Sequence, residues 1–394
     1  MTYLRIFVAA SIIALLGISV AVSKELRGTG DLGIVIERAD GSVCIVDTTE
    51  IMVLGCVTGF GDLSHASAVF SRDQRFAYVF GRDGGLTKLD VLTRKIVKRV
   101  MQAGNSIGGA ISDDGKLIAV SNYKPGGVKV FDAETLEEVA DIPAIYGDDG
   151  ARSKTVGLVD APGRRFVYTL YDAGEIWMAD FSRGNKPEVH RLGEAGELPY
   201  DALITSDGRH YIAGLFGEDG LAHIDLWQQE PKIRRILADY GKGEQKLPVY
   251  KMPHLEGWAR AGGQFILPAV GLHEIIAVNA ETFKKTGAVK VHGQPVFAVA
   301  RPDGRQVWVN FAHPRNDTIQ VVDVPTLKVV HEFKPGPAAL HMEFAPRGHQ
   351  VWLSVRDSDV VQVYDTTTFE KRGELAIRKP SGIFFTARAQ RIGL

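Results

Sequence analysis

After residue 23, the chain is built from short runs in which apolar and polar residues alternate, and turns containing Gly or Asp separate the runs. Two examples are 76–80 (FAYVF) and 128–132 (VKVFD). A period of two residues is typical of a strand that buries one face. No segment after the N-terminus has the length and 3.6-residue periodicity of a helix. The pattern therefore predicts an all-β protein.

The strands recur as one repeated unit. It consists of an x-D-G-R/K turn, an alternating apolar strand, a second turn with Gly or Asp, and a strand that ends in Asp before a T-L or T-F pair. Copies of this unit begin at Ser112, Asp160, Ser206, Gly262, Arg301 and Pro346. The copies start roughly 40 to 60 residues apart, with insertions in the longer gaps, and this spacing is typical of β-propeller blades.

The count of these units predicts a single eight-bladed β-propeller over residues 24–394, with seven blades as the alternative. The first unit, 33–47, lacks one strand, and the C-terminal segment 382–388 is a spare strand. We expect the two to join in one blade, because this pairing closes the ring and removes an exposed sheet edge.

The N-terminal 23 residues have a different character. Arg5 is their only charge, 6–22 is apolar, and small residues at 21–23 precede Lys24. This arrangement predicts a secretory signal peptide over 1–23 that is cleaved near Ser23, and hence a periplasmic protein. The apolar run is at the short limit for a membrane span, so an uncleaved N-terminal membrane anchor is the alternative.

The two cysteines, Cys44 and Cys56, lie on adjacent predicted strands. An oxidising compartment permits a disulfide between them, and two buried free thiols are the alternative. The chain has no C-x-x-C-H motif, so a covalent c-type haem is excluded.

Composition and motifs exclude several classes of function. The formal net charge is −1, so no basic field favours nucleic acid. The sequence contains no HExxH zinc motif, no G-x-S-x-G nucleophile motif, no P-loop and no dinucleotide-binding fingerprint.

Three residues in predicted loops form the first candidate site. His65 lies in the loop that enters the second blade, and Arg38 and Arg82 occupy equivalent turns of adjacent blades. Two guanidinium groups from neighbouring blades suit a ligand that carries carboxylates. A structural histidine and two solvated turn residues are the alternative for each residue taken alone.

Two insertions between blades hold further candidates. The segment 145–154 contains Asp148, Asp149, Arg152 and Lys154, which combine carboxylates for proton transfer with cations for an anionic ligand. A hydrophilic surface loop is the alternative for this segment.

The second insertion, 239–257, contains His254 in a loop bounded by Pro and Gly. We interpret His254 as a second ligand or an acid–base residue. Four more histidines fall near strand ends or in loops, and we expect one or two of them to face a central pocket: His273, His292, His313 and His341.

The order R-x-D-G, T-G…H, strand, G-R-D-G resembles the haem d1-binding propeller domain of the cytochrome cd nitrite reductases. In that family a histidine is the proximal iron ligand, and arginines hold the carboxylates of the macrocycle. The resemblance implies that His65 is the axial ligand of the haem iron and that Arg38 and Arg82 hold carboxylates. It also places His313 near one of the family's distal histidines.

The chain lacks the haem c domain of the reductases and is more similar to the stand-alone periplasmic propellers of haem d1 biosynthesis. That likeness spans nearly the whole mature chain, including 26–33, 152–163 and 344–348. It implies that the protein binds haem d1 or its iron tetrapyrrole precursor and takes part in its late maturation for nitrite reductase.

Within that implied function, Arg152 and Lys154 are further candidates for holding the ligand, and Asp148, Asp149 and His254 are candidates for moving protons on its side chains. The resemblance thus favours an enzyme that modifies a tetrapyrrole, with an oxidoreductase as one form. The alternatives are a non-catalytic carrier that delivers haem d1 to the apo-reductase and an interaction propeller without a cofactor. The expected partners are nitrite reductase or other haem d1 biosynthesis proteins, bound transiently, and a second copy of the chain in a homodimer.

Overall fold

The structure is a computed structural model that describes residues 29–240 and 258–392. It contains eight four-stranded antiparallel sheets and one two-stranded hairpin. This architecture confirms the predicted eight-bladed β-propeller and excludes the seven-bladed alternative. The helical segments of the described residues are short 3-10 turns: Thr29–Asp31, Val270–Leu272, Arg356–Ser358 and Thr386–Gln390.

The blades are numbered in chain order, and their strands are given from the innermost to the outermost. Blade 1 consists of Pro380–Phe385, Leu32–Glu37, Ser42–Asp47 and Met52–Val57, and blade 2 of Ser67–Phe70, Phe76–Phe80, Gly85–Asp90 and Lys95–Met101. Blade 3 consists of Asn105–Ile111, Leu117–Lys124, Val128–Asp132 and Glu138–Ile142, and blade 4 of Thr155–Ala161, Arg165–Leu170, Glu175–Asp180 and Glu188–Glu194.

Blade 5 consists of Pro199–Ile204, His210–Leu215, Leu221–Asp225 and Arg234–Ile236, and blade 6 of Ala259–Ala261, Gln264–Ala269, Glu274–Asn279 and Lys285–Lys290. Blade 7 consists of Pro295–Ala300, Gln306–Phe311, Ile319–Asp323 and Lys328–Phe333, and blade 8 of Ala339–Phe344, Gln350–Val355, Val360–Asp365 and Lys371–Ala376. The two-stranded hairpin, Ile145–Tyr146 with Ala151–Arg152, lies between blades 3 and 4.

Blade 1 contains both ends of the described chain. Its innermost strand is C-terminal and pairs antiparallel with Leu32–Glu37, so that Gly33 faces Phe385 across the pair. A Cβ at Gly33 would lie 2.4 Å from the Phe385 ring, so this position has no room for a side chain. The pairing completes the ring of blades.

Aromatic side chains join neighbouring blades. Trp308 of blade 7 is fully buried, and its ring lies 6.0 Å from that of Phe344 in blade 8. Trp352 of blade 8 is also buried, and its ring lies 5.5 Å from that of Phe385 in blade 1. Burial of one such side chain stabilises the fold by about 1.5–3 kcal/mol, so these contacts hold the ring of blades together.

Cys44 and Cys56 face each other in the third and outermost strands of blade 1 and form a disulfide. The structure therefore favours the disulfide over the two free thiols. Among the described residues, no helix has the length and apolar character needed to span a membrane.

The loops of a propeller fall on two faces. We call the face at which the chain enters each innermost strand the upper face; it also carries the turns between the second and third strands of each blade. The opposite face is called the lower face. The turns of Arg38 and Arg82 and the loop of His65 all lie on the upper face. The fold thus places the three residues of the first candidate site on one side of the ring.

Candidate functional site

A cavity lies at the centre of the ring, between the innermost strands. It holds about 1260 Å³ of empty space, counting its open mouth. Much of its wall is apolar and includes Ile107, Val156, Leu158, Phe297, Leu340 and Phe384. Its polar wall residues include Arg38, Ser64, His65, Tyr200, Asp201 and His341.

His65 lines this cavity from the loop that leads into the innermost strand of blade 2. The loop is held by Asp62, whose Oδ1 accepts a hydrogen bond of 2.8 Å from the backbone N–H of Ser64. Such a bond to a residue two positions later is typical of Asp in turns. This hydrogen bond within the loop holds the backbone next to His65. The imidazole of His65 is half-buried in the cavity wall.

Arg38 lines the cavity from the neighbouring turn in blade 1, and its backbone N–H donates to the carbonyl of Lys379. Burial lowers the pKa of the Arg38 guanidinium, the positive charge of Arg356 lowers it further, and Asp62 acts in the opposite direction. In the part of the chain that the structure describes, no carboxylate forms an ion pair with Arg38. A ligand carboxylate would therefore offset the cost of burying this cation.

Arg82 lies beside the same loop, because its backbone N–H donates to the carbonyl of Asp62 at 2.8 Å. Hydrogen bonds from Ser64 hold the pKa of the Asp62 carboxyl below its usual value, and the charges of Arg82 and Arg38 add to this effect. Two guanidinium groups thus flank one exposed carboxylate. The structure brings Arg38, His65 and Arg82 together at one side of the mouth, with Arg82 just outside the cavity wall.

The opposite wall belongs to blade 5 and contributes Tyr200 and Asp201. The hydroxyl of Tyr200 lies 2.5 Å from that of Tyr123 in blade 3, and burial raises the pKa of both phenols. Asp201 is 6% exposed, and burial raises the pKa of its carboxyl well above the usual value. Sequence reasoning missed both wall residues, because PYDALI has no feature that separates it from the other innermost strands.

An aromatic cluster extends from this wall toward the upper face. The ring of Tyr200 lies 4.6 Å from that of Phe216 and 6.0 Å from that of Tyr171. Lys154 places its Nζ 4.8 Å from the centre of the Tyr171 ring and 2.5 Å from Asp172 Oδ1. The ammonium of Lys154 is therefore held beside the cluster by a carboxylate and lies outside the cavity wall.

The other candidates from the first insertion lie on the hairpin between blades 3 and 4. Asp148 and Asp149 are exposed at its tip, where Asp149 Oδ1 accepts a hydrogen bond from the backbone N–H of Ala151 at 3.1 Å. Arg152 is exposed and lies 3.9 Å from Asp141. The hairpin stands on the upper face, and none of these residues lines the cavity.

The histidines differ in placement. His341 lines the cavity from the innermost strand of blade 8, with its ring 5.1 Å from that of Phe297. His313 is exposed in an upper-face turn of blade 7, away from the wall. His273 and His292 do not line the cavity either. His254 lies outside the described residues.

The lower end of the cavity is formed by the C-terminal 3-10 turn, Thr386–Gln390. Arg388 of this turn lines the cavity and is 6% exposed. It forms a bidentate ion pair with Glu343 of blade 8. The turn is tied to blade 2, because Arg72 donates to the carbonyl of Ala389 at 2.5 Å and accepts from Gln390 at 2.8 Å. A charged pair therefore forms part of the floor, and the mouth is on the upper face.

Known proteins are similar in sequence to this chain over most of its length. The chain is 62% identical over 371 residues to "Protein NirF" of Pseudomonas aeruginosa, covering 94% of each sequence. It is 57% identical to "Protein NirF" of Stutzerimonas stutzeri, covering 97% of this chain and 98% of that protein. The "Dihydro-heme d1 dehydrogenase" of Pseudomonas aeruginosa is 30% identical, over 89% of this chain and 70% of that protein.

Among solved structures, the fold matches "Dihydro-heme d1 dehydrogenase NirN in complex with DHE" with a TM-score of 0.80 and 27% identity, over 92% of this chain and 76% of that chain. The structure of apo AztD from Citrobacter koseri shares the fold alone, with a TM-score of 0.63 and 14% identity over 89% of this chain and 96% of that chain. The profile of the "Cytochrome D1 heme domain" family matches residues 27–389. The chain therefore belongs to the cytochrome D1 heme domain family.

Proposed function

We propose that the protein binds a haem d1-type tetrapyrrole in its central cavity and takes part in the late periplasmic maturation of that cofactor for nitrite reductase. The observation that carries this proposal is that His65 and Arg38 line the same central cavity, whose wall is mostly apolar. The family supports the same ligand class, as does the similar dehydrogenase, whose structure is a complex with DHE.

The residues of the cavity fit such a ligand. His65 would ligate the ring iron, since imidazole is a common axial ligand of haem iron. Arg38 and Arg82 would hold peripheral carboxylates. The charge of Arg38 is half-buried and forms no ion pair within 29–240 and 258–392, which gives a reason for an anion to bind there. The apolar wall would cover the faces of the macrocycle. The bound ligand itself supplies the conjugated ring and the redox chemistry of its iron.

The upper-face loops are the proposed source of acid–base groups. Asp148 and Asp149 on the hairpin would reach the ligand from above the mouth and move protons at its side chains. His254, which lies outside the described residues, is the third candidate for this role. Arg152 and Lys154 would add positive charge beside its carboxylates, and His313 would stand on the same face. In this form of the proposal the protein is an enzyme that modifies the side chains of a tetrapyrrole.

A carrier is the second candidate function. The mouth faces the upper side of the ring and the floor is held by the Arg388–Glu343 pair, so a ligand would enter and leave by one route. A protein that holds the tetrapyrrole and delivers it to the apo-reductase needs such a route and no acid–base chemistry. Transient contact with nitrite reductase would then take place at the upper face.

Titration of the purified mature protein with dihydro-haem d1 tests the proposal. We expect a saturable change in the visible spectrum, and its absence would contradict ligand binding in the cavity. After incubation, extraction of the pigment and mass spectrometry separate the two candidates. An unchanged mass supports the carrier, whereas a changed mass that is lost in the Asp148→Asn/Asp149→Asn variant supports the enzyme.

A further inference from the structure

Asp201 is a buried acid in the cavity wall that the proposed binding of the ligand through His65 and Arg38 does not use. It is 6% exposed, and its Oδ2 has no hydrogen-bond partner among the described residues. No basic side chain in 29–240 or 258–392 forms an ion pair with it. A carboxylate without a cation is costly to bury, so the neutral acid is the stable form.

The surroundings of Asp201 strengthen that conclusion. The titratable groups whose charge couples to it are phenols, which are neutral in the physiological range: Tyr123, Tyr200 and Tyr211. Burial raises the pKa of Tyr211 as well. The charge of Arg82 acts on Tyr123 and Tyr200, but no cation is among the groups that shift the pKa of Asp201. The charged and titratable groups elsewhere in the cavity wall are Arg38, His65, His341 and Arg388.

Asp201 and Arg38 lie on opposite sides of the cavity. Asp201 belongs to blade 5 and Arg38 to blade 1, and these blades stand opposite each other in a ring of eight. The cavity therefore has a cationic side and a side with a neutral acid. A protonated carboxyl donates one O–H bond, whereas a carboxylate only accepts.

We propose that Asp201 is a hydrogen-bond donor on the blade 5 side of the cavity and binds, through its protonated carboxyl, an oxygen-bearing substituent on the edge of the ligand opposite the one held by Arg38. The inference rests on the proposed function, since it takes the ligand to be a tetrapyrrole with carboxylate or oxo substituents. Asp201 acts here as a positioning residue: it fixes which edge of an asymmetric ring faces blade 5.

The protonation of Asp201 is testable without ligand. Infrared difference spectra between H₂O and D₂O should contain a carbonyl band of a buried carboxylic acid at pH 7 in the wild type that is lost in Asp201→Asn. A band that remains in Asp201→Asn belongs to another buried acid, such as Glu343, and does not count as this band. The exposed Asp40, which pairs with Arg378 on the upper face, provides the matched control: Asp40→Asn should keep the band. A wild-type spectrum without the band would overturn the inference, whatever the ligand does.

Addition of dihydro-haem d1 then tests the contact itself. The band should shift in the wild type, and Asp201→Leu should weaken binding about tenfold or more, as expected for loss of one hydrogen bond to a charged or strongly polar oxygen. Asp201→Asn keeps an N–H donor and should remain within about threefold of the wild type. An unshifted band, or equal affinity of Asp201→Leu and wild type, would overturn the inference.

These outcomes separate the inference from the proposed function. If the wild type has the band and binds no dihydro-haem d1, the proposed function fails and the role of Asp201 fails with it. If the ligand binds and the band does not respond, only the role of Asp201 fails. The shift of the wild-type band needs no variant, so it decides the question even where Asp201→Leu does not fold.

Discussion

The hydroxyl oxygens of Tyr123 and Tyr200 lie 2.5 Å apart, although the two residues are 77 positions apart in the chain and belong to blades 3 and 5. Their hydrogen bond therefore passes over the upper end of blade 4, whose innermost strand also lines the cavity. This contact holds the wall of the mouth on the side opposite Arg38. It gives the cavity a wall that is already formed before a ligand binds.

The Tyr123–Tyr200 bond should be measurable as a coupling energy. We expect Tyr123→Phe and Tyr200→Phe each to lower the free energy of unfolding, and the double variant to lose less than the sum, with a coupling of about 0.5–1.5 kcal/mol. Urea unfolding of the wild type, both single variants and the double variant gives this value. Strictly additive losses would mean that the hydroxyls do not interact.

Removal of the Arg38 charge should weaken binding of dihydro-haem d1. The guanidinium is half-buried and has no carboxylate partner among the described residues, so we expect Arg38→Ala to lower the affinity about 10- to 100-fold. Spectroscopic titration measures this change. Arg378→Ala is the matched control, because Arg378 is exposed on the same face and already pairs with Asp40 at 2.8 Å. Equal losses in both variants would indicate a general effect of surface charge.

Removing one partner of the Arg388–Glu343 ion pair should destabilise the fold, because the other charge would stay buried without a partner. Arg388→Met leaves the Glu343 carboxylate buried without its partner and should lower the free energy of unfolding by about 3–5 kcal/mol. The double variant Glu343→Leu/Arg388→Met removes both charges and should recover most of this loss. Chemical denaturation measures both. If Arg388→Met costs less than about 1 kcal/mol, Arg388 does not hold the floor.

Buried His223, next to half-buried His210 in blade 5, predicts a loss of stability in mild acid. His223 accepts a hydrogen bond from Arg234 at 3.0 Å and contacts His210 at 3.1 Å. Burial, together with the charges of Arg234 and His210, lowers the pKa of His223 from 6.5 to about 4, and Asp225 opposes these effects. The unfolded chain therefore takes up a proton near pH 6.5, and the folded protein does so only near pH 4.

Because the unfolded state binds this proton first, the contribution of His223 to stability is complete above pH 6.5 and is lost as the pH falls toward 4. Between pH 7.5 and 5, the free energy of unfolding should fall by about 2 kcal/mol more in the wild type than in His223→Gln. Urea unfolding at both pH values measures the difference. Parallel pH profiles of the two proteins would contradict a neutral, buried His223.

The fold was predictable from the sequence because each blade repeats the same turn and strand signals, as at Ser112 and Arg301. The cationic side of the cavity could also be predicted from the sequence. His65 and Arg38 lie in predicted loops, so the alternation of apolar residues in strands does not explain why they are there. Tyr200 and Asp201 were not predicted, because a polar residue in a strand gives no sign of whether it faces a neighbouring blade or the central cavity. Arg388 was missed because only the closed ring brings the C-terminal turn under the cavity and next to Glu343.

The placement of the insertions shows another limit of sequence reasoning. The charges of 145–154 predicted a ligand-binding segment, and the structure places Asp148 and Asp149 on an exposed hairpin above the ring. Charge composition identifies an unusual loop, but the distance from loop to cavity depends on the tertiary fold. The roles of these carboxylates and of His254 remain predictions.

The central claim is that His65 ligates the iron of a tetrapyrrole bound in the cavity, and the absorption spectrum of the complex tests it most directly. We expect the Soret band of the dihydro-haem d1 complex to shift in His65→Ala, because the axial ligand is lost, and to stay unchanged in His313→Ala, because His313 is exposed outside the cavity wall. Added imidazole should restore the wild-type band in His65→Ala. A His65→Ala complex with the wild-type spectrum would contradict the account.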